Sequence, residues 1–284
     1  AQDEIKLLRN LQALIGVRYI YHENFKNHAT PNVALMYKPG KFNFRASYAA
    51  GFRTPTLSEL YATDIAKKND RLTIGNLDLK PEKNNYFSLS AEYVHERFSV
   101  SVNAFYNNIR DMIDYNTIAT GDKAMEQYGH KEVRQRDNIA EAKVHGINVS
   151  ANAYLGAGFN LSGGYTHLNT QDVELEQPID KSIKNAYNIN AQWAHSWKIY
   201  RLNINLNGRI NSKRFSKSYG YAPEYQLWDL NTRHSFNLKS VIIEPGFGME
   251  NLFDYMDDRP YNSNYATLTP GRSFYISLSL KFKS

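Results

Sequence analysis

The feature of this sequence that most restricts its fold is a strict alternation of apolar and polar residues, sustained for about ten residues at a time. Phe42, Phe44, Ala46, Tyr48 and Ala50 alternate with Asn43, Arg45 and Ser47. Phe98, Val100, Val102, Ala104 and Tyr106 alternate with Ser99, Ser101 and Asn103. Leu202, Ile204 and Leu206 alternate with Asn203, Asn205 and Asn207, and Phe274, Ile276, Leu278, Leu280 and Phe282 with Tyr275, Ser277, Ser279 and Lys281. Successive side chains of a strand point to opposite faces, so each segment reads as a strand with one apolar and one polar face. Twelve such segments lie near residues 9–22, 31–39, 41–53, 84–95, 98–114, 141–155, 159–169, 184–196, 199–211, 224–237, 240–251 and 272–282. They run nearly twice the length of an ordinary soluble strand and match what a tilted strand needs to cross a bilayer. A soluble β-protein would bury an apolar face inside, whereas the Asn, Ser, Gln and Arg of the alternate face suit a wet lumen. The pattern predicts an all-β, antiparallel, up-and-down transmembrane β-barrel of about twelve strands.

The connections alternate in length. Short turns fall at 38–41, 95–98, 155–159, 195–200 and 238–241, and long loops at 23–30, 54–83, 115–140, 170–183, 212–223 and 252–271. Outer-membrane barrels show this asymmetry, with tight periplasmic turns and long outer loops. The last apolar strand closes at Phe282, similar to the terminal aromatic of bacterial outer-membrane proteins, which places that end and all five short turns on the periplasmic side. Apolar runs do not pass about five residues, far short of the roughly 20 a spanning helix requires. The 21 tyrosines against 3 tryptophans suit wet, half-buried strands. The absence of cysteine excludes disulfides, thiolate metal sites and cysteine nucleophiles. A net charge of +6, from 34 basic and 28 acidic residues, permits a polyanionic partner. Without a basic stripe or a known module it argues for no nucleic acid. Ala-Gln-Asp-Glu at the start is unlike a signal peptide, so a mature chain or a fragment of one is expected.

Residues 45–93 carry the most specific motif. Gly51-Phe-Arg-Thr-Pro-Thr-Leu-Ser-Glu-Leu-Tyr61 is followed by Gly75-Asn-Leu-Asp-Leu-Lys-Pro-Glu82 and a strand from Asn84. Pro55 cannot donate to a ladder and marks where a strand leaves the sheet. Gly75 and Asn76 suit a turn with positive backbone angles. Glu82 is placed to pair with a loop cation such as Arg53. The stretch resembles the mid-barrel hairpin of the TonB-dependent outer-membrane receptors. Asn251-Leu-Phe-Asp with Tyr255, and the segment Pro270 to Phe282, resemble the end of the same family. The resemblance implies a 22-stranded barrel with an N-terminal plug, of which residues 1–284 would be the C-terminal portion, lacking the plug and the preceding strands. It implies active import of a scarce large solute, such as a ferric siderophore or a cobalamin-like corrinoid, powered by a TonB complex acting through the absent plug. A passive outer-membrane channel and, from another class, a barrel-embedded hydrolase are the alternatives. Haem fits poorly, because no histidine lies between Pro55 and Asn76.

Candidate ligand-binding residues follow from loop chemistry. Tyr128, Tyr219, Tyr221 and Tyr261 lie in predicted outer loops with Tyr115, Tyr255 and Tyr265, and a rigid ring with a polar tip suits a bulky aromatic or macrocyclic solute. The competing role is a membrane-interface girdle. Arg53 is the fifth candidate, although a loop-shaping role fits it as well. Lys67, Lys68, Arg71, Arg134, Arg136, Lys213 and Arg214 could attract an anionic chelate or lipopolysaccharide phosphates, or could simply be solvated. His28 and His130 also fall in predicted outer loops. Outer-membrane lipid is the expected surrounding, no cofactor is expected, and no nucleophile elbow or comparable motif supports catalysis.

Overall fold

The computed structural model describes residues 2–23, 25–216, 220–257 and 270–283. Its elements in chain order are β1 (Gln2–Leu8), β2 (Leu11–His22), β3 (Lys26–Tyr37), β4 (Phe42–Arg53), α1 (Leu57–Tyr61), β5 (Thr63–Ala66), β6 (Arg71–Ile74), β7 (Glu82–Val94), β8 (Phe98–Thr120), α2 (Gly121–Tyr128) and β9 (Glu132–Gly156). There follow β10 (Phe159–Asp172), β11 (Asn185–Trp197), β12 (Tyr200–Asn211), β13 (Arg214–Ser216), β14 (Gly220–Ala222), β15 (Tyr225–Asn237), β16 (Val241–Glu250) and β17 (Ser273–Phe282). Thirteen strands pair with their sequence neighbours in one antiparallel meander, β1-β2-β3-β4-β7-β8-β9-β10-β11-β12-β15-β16-β17. All twelve marked segments are strands. The thirteenth, β1, escapes the pattern because Asp3, Glu4 and Lys6 leave only Ile5 and Leu7 to alternate before Leu8.

Register confirms the two faces. Ile204 pairs with Trp193 and Thr232, and Asn205 with Gln192 and Asn231, so apolar and polar rows continue across neighbouring strands. The apolar row carries no protein cover: Ile276 is 84% exposed and Leu278 65%. Asn203, Asn205, Asn231, Arg233 and Ser277 line a common polar hollow on the other face, where Lys281 Nζ meets Glu244 at 2.7 Å. Tyr275 lies on this face directly over Gly248, where any Cβ would meet its ring. Rings of the apolar face gather near the short turns, with Phe42–Tyr93 centroids 4.9 Å apart, Trp197–Tyr200 5.4 Å and Tyr200–Phe236 5.0 Å. Such a belt is the girdle expected at a membrane interface.

Six short connections, at 9–10, 38–41, 95–97, 157–158, 198–199 and 238–240, share one end of the sheet with Phe282. The opposite, long-connection end differs from expectation in two places. The presumed loop 23–30 is a tight turn, because β3 begins at Lys26 and His22 pairs with Lys26. His28 therefore lies in a strand, stacked on Phe52 at 4.4 Å. The presumed loop 115–140 is mostly strand: β8 and β9 run 23 and 25 residues and pair with each other beyond Arg110, where β8 loses β7 as a neighbour. Alternation fails there because the ladder is interrupted between Ile109 and Ile113, and Asp111 has a positive φ of 55°. A bulge shifts the side-chain period and hides the strand from a period-two reading.

Candidate functional site

The connection 54–81 begins where Pro55 ends the ladder, and it folds through local chemistry. Thr56 caps α1: its hydroxyl accepts the Glu59 N–H at 3.2 Å, and Glu59 Oε2 accepts the Thr56 N–H at 2.8 Å. This reciprocal capping box was legible as Thr56-x-x-Glu59, a signal that sequence reasoning passed over. Gly75 does not adopt a positive φ. It is required instead by close approach, since a Cβ there would lie 2.5 Å from the Leu60 carbonyl oxygen. Its N–H donates to Ala62 O at 2.8 Å, and the Asn76 side chain accepts from Asp78 N–H at 2.9 Å, closing the turn.

Arg53 ties both ends of this connection together. Its Nε and Nη2 donate to the two oxygens of Glu82 at 2.8 and 2.6 Å, and Nη1 and Nη2 donate to those of Glu59 at 2.9 and 3.2 Å. Glu82 Oε1 also accepts the Ile113 N–H at 2.8 Å, which fastens the clamp to β8. The expected pairing of Glu82 with Arg53 is thus present, with Glu59 as a second partner. Leu60, Leu79 and Ile113 form a buried cluster beneath it, with Phe25 against its side. Partial burial opposes ionisation of Glu59 and Glu82, but hydrogen bonds from Arg53, with those from Thr56 and the Ile113 N–H respectively, outweigh it and hold both below their ordinary value of 4.5. A carboxylate with a depressed pKa contributes stability that is complete above its unfolded value and is lost as pH falls through the folded one. Proteolysis of 54–81 in the full-length protein should therefore be unchanged from pH 7 down to about 5, and should rise below about pH 4. A rate that is flat to pH 3 would contradict this.

Beyond the rim the β5–β6 hairpin leans across and adds to β9 in parallel, with Leu72 opposite Val133 and Arg71 opposite Glu132. The result is a small outer sheet, β8-β9-β6-β5. Leu72, Val133 and Ala124 of α2 form a buried cluster on one face, with Ile74, Ala119 and Tyr128 packed against it. His130 Nδ1 meets Asp70 Oδ1 at 2.9 Å and Lys131 N–H donates to Asp70 O at 3.0 Å, pinning the hairpin tip. Arg136 lies over the Tyr115 ring at 3.6 Å.

The remaining candidates are placed separately. Tyr221 sits in the β13–β14 hairpin, 57% exposed, with Phe215 edge-on at 5.3 Å. Tyr128 is half-buried against the α2 cluster. Arg53, Tyr128 and Tyr221 share no hydrogen bond, ion pair or ring contact among the described residues. Tyr219 and Tyr261 lie outside the described residues, as do Tyr265 and most of 252–271. The start of that last connection is fixed by buried Asn251, whose side chain donates to Tyr255 O at 2.7 Å and accepts the Tyr255 N–H at 2.8 Å. This accounts physically for the Asn251-Leu-Phe-Asp motif. Among the described residues no group of three or more His, Asp or Glu could hold a metal ion. Among the described residues no helix is long and apolar enough to cross a membrane.

A family model described as TonB dependent receptor-like, beta-barrel, matches residues 1–252. Among solved structures, a mutant form of the ferric enterobactin receptor of Pseudomonas aeruginosa superposes with a TM-score of 0.79 at 20% identity, over 99% of this chain and 44% of that one. The siderophore receptor PirA from Acinetobacter baumannii gives 0.75 at 17% identity, over 99% and 45%. The copper transporter OprC gives 0.73 at 12%, over 99% and 48%. The chain thus spans less than half the length of the solved structures it matches, and at these identities the likeness concerns the fold.

Proposed function

This chain belongs to the TonB-dependent receptor-like β-barrel family, and on that premise we propose that it is the C-terminal wall of an outer-membrane receptor that imports a scarce, bulky metal chelate. The observation that carries the reading is the asymmetry of the two ends: six tight turns at one, and at the other a clamped connection, an outer sheet and a tyrosine-bearing hairpin. A passive channel needs no such apparatus beyond its rim. The solved structures named above are receptors for ferric enterobactin and siderophores and a copper transporter, which favours an iron or copper complex over a corrinoid. In this reading the apolar face meets lipid and lipopolysaccharide, the polar face lines the lumen, and a plug and further strands outside this chain complete the barrel and meet the TonB complex. Growth of a deletion strain on defined iron, copper or corrinoid sources, restored by the full-length gene, tests it. Restoration without any functional TonB would overturn energised import.

Tyr219, Tyr221 and Tyr261 are proposed solute contacts, while Arg53, engaged by two glutamates, positions the connection 54–81. Each aromatic contact contributes about 0.5–1.5 kcal/mol beyond area burial, so one loss weakens binding tenfold or less. Replacing all three with Ala should lower solute affinity of the full-length receptor more than any single change, with heat-resistant folding retained. Unaltered affinity would return these residues to the girdle or to solvated loop tips.

A further inference from the structure

The six short connections carry most of the chain's surplus charge. Arg9, Lys38, Lys41, Arg97, Lys198 and Lys239 stand in them against one acid, Glu96, which leaves +5 at this end where the whole chain has +6. All six cations are exposed, and among the described residues none is held by an ion pair or a side-chain hydrogen bond. Tight turns call for glycine, proline or asparagine, so turn chemistry does not account for the charge. Backbone bonds knit the turns into one rim. Lys38 N–H donates to Asn10 O at 2.8 Å, Val94 N–H to Lys41 O at 2.9 Å and Asn237 N–H to Ile199 O at 2.7 Å. Three successive turns thus present Arg9, Lys38, Lys41 and Arg97 as one group, and two neighbouring turns present Lys198 and Lys239 as another. The uncharged turn 157–158 separates the groups.

Adjacent turns lie two strands apart, about 10 Å, so these cations do not converge on a single small ion. They suit a row of separate anionic heads. Directly inside the rim, on the apolar face, lies a band of rings with polar edges. His95 stacks on Phe98 at 5.0 Å, His195 lies between Trp193 at 5.9 Å and Trp197 at 4.3 Å, and Tyr200 shares a 2.7 Å hydrogen bond with His234 Nδ1. Such rings settle at the boundary between hydrocarbon and head groups. A cation just beyond them is at the depth of a lipid phosphate.

We propose that this rim is a docking surface for phospholipid heads of net negative charge, such as phosphatidylglycerol, in the leaflet that the short turns meet. The inference rests on the receptor reading above, which gives the apolar face to lipid. An anionic lipid matches both layers at once, with its phosphate among the cations and its chains against the rings. A soluble polyanion would use the turns and leave the rings unmatched. The contact fixes the depth at which the wall sits in the bilayer.

The test uses the full-length receptor in phosphatidylcholine vesicles, with spin-labelled phosphatidylglycerol or spin-labelled phosphatidylcholine as a trace probe. The fraction of each probe immobilised at the protein surface gives their relative association. The anionic probe should be favoured about fivefold at low salt, and most of that preference should vanish at about 1 M salt, where screening acts within about 3 Å. Replacing all six cations with Gln should bring the ratio to about one, and replacing either group alone should give an intermediate value. Gln at Lys67, Lys68, Lys123 and Lys131, at the opposite end, removes as many charges as the first group does and should leave the ratio unchanged. Heat-resistant folding checks that each barrel is intact. An unchanged ratio with all six replaced, or an equal loss in the opposite-end variant, overturns the docking surface. So does loss of the preference when glycerophosphoglycerol, the free head, is added to the aqueous phase at the concentration of the labelled lipid, since the rim would then belong to a soluble anion. Failure of the receptor reading looks different: the full-length gene restores growth on no iron, copper or corrinoid source, whichever lipid the wall prefers.

Discussion

Replacing Arg53 with Ala should free the connection 54–81 while leaving the strands of the sheet folded. The substitution removes four charge-assisted hydrogen bonds and leaves Glu59 and Glu82, whose side chains are only 13% and 16% exposed, facing each other without a cation. Hydrogen bonds to charged groups contribute about 1.5–3 kcal/mol each when buried. Arg53 is itself 43% exposed, so solvent screening reduces the total, and about 2–3 kcal/mol of local stability is the expected loss. Local opening of the segment should then rise by about 30- to 150-fold. Limited proteolysis reads this directly where cleavage follows the open population. Arg53→Lys should fall between, because it keeps the charge and loses the planar fork that meets two carboxylates at once. Equal cleavage of the Ala variant and the parent would show that the Leu60, Leu79 and Ile113 cluster holds the segment unaided.

An arginine at Ile204 should cost about 2–4 kcal/mol of folding stability in a bilayer, and an arginine at Asn203 close to none. The two residues are adjacent, so they differ only in the face they present. Ile204 belongs to an exposed apolar surface shared with Leu161, Ala191, Trp193 and Leu206, whereas Asn203 faces the polar hollow with Asn231 and Arg233. A guanidinium on the first would sit in hydrocarbon, and on the second in a wet lumen. Folding equilibria of the full-length receptor in lipid vesicles measure both. Equal costs would mean that the apolar face is covered by protein rather than lipid.

The wall was legible in the sequence because each of its strands has one face in an apolar medium and one in a wet one. The two environments impose period two on every segment independently of its neighbours, as from Phe98 to Tyr106. The tight turns followed from the same reading, since a segment that must end at an interface ends where alternation ends. The pairing of Arg53 with Glu82 followed from their charges at the two ends of the connection, whereas Thr56-x-x-Glu59 was local enough to be read and was passed over. The outer end was not. Its strands have no lipid to face, so β8 and β9 above Asp111 bury Val133 against a helix on one side and expose arginines on the other, after a bulge has shifted the period. Its neighbours come from distant segments: β6 reaches β9 across the whole of β7 and β8, and only tertiary packing could bring Arg71 beside Glu132. Gly75 teaches the same point, for its reason is the backbone of α1 passing close by, which no stretch of sequence around it contains. What the sequence by itself determined is the membrane wall, a repeated local response to two solvents. What the tertiary structure alone decided is the surface beyond the rim, where pairing between remote segments sets which charges stand together.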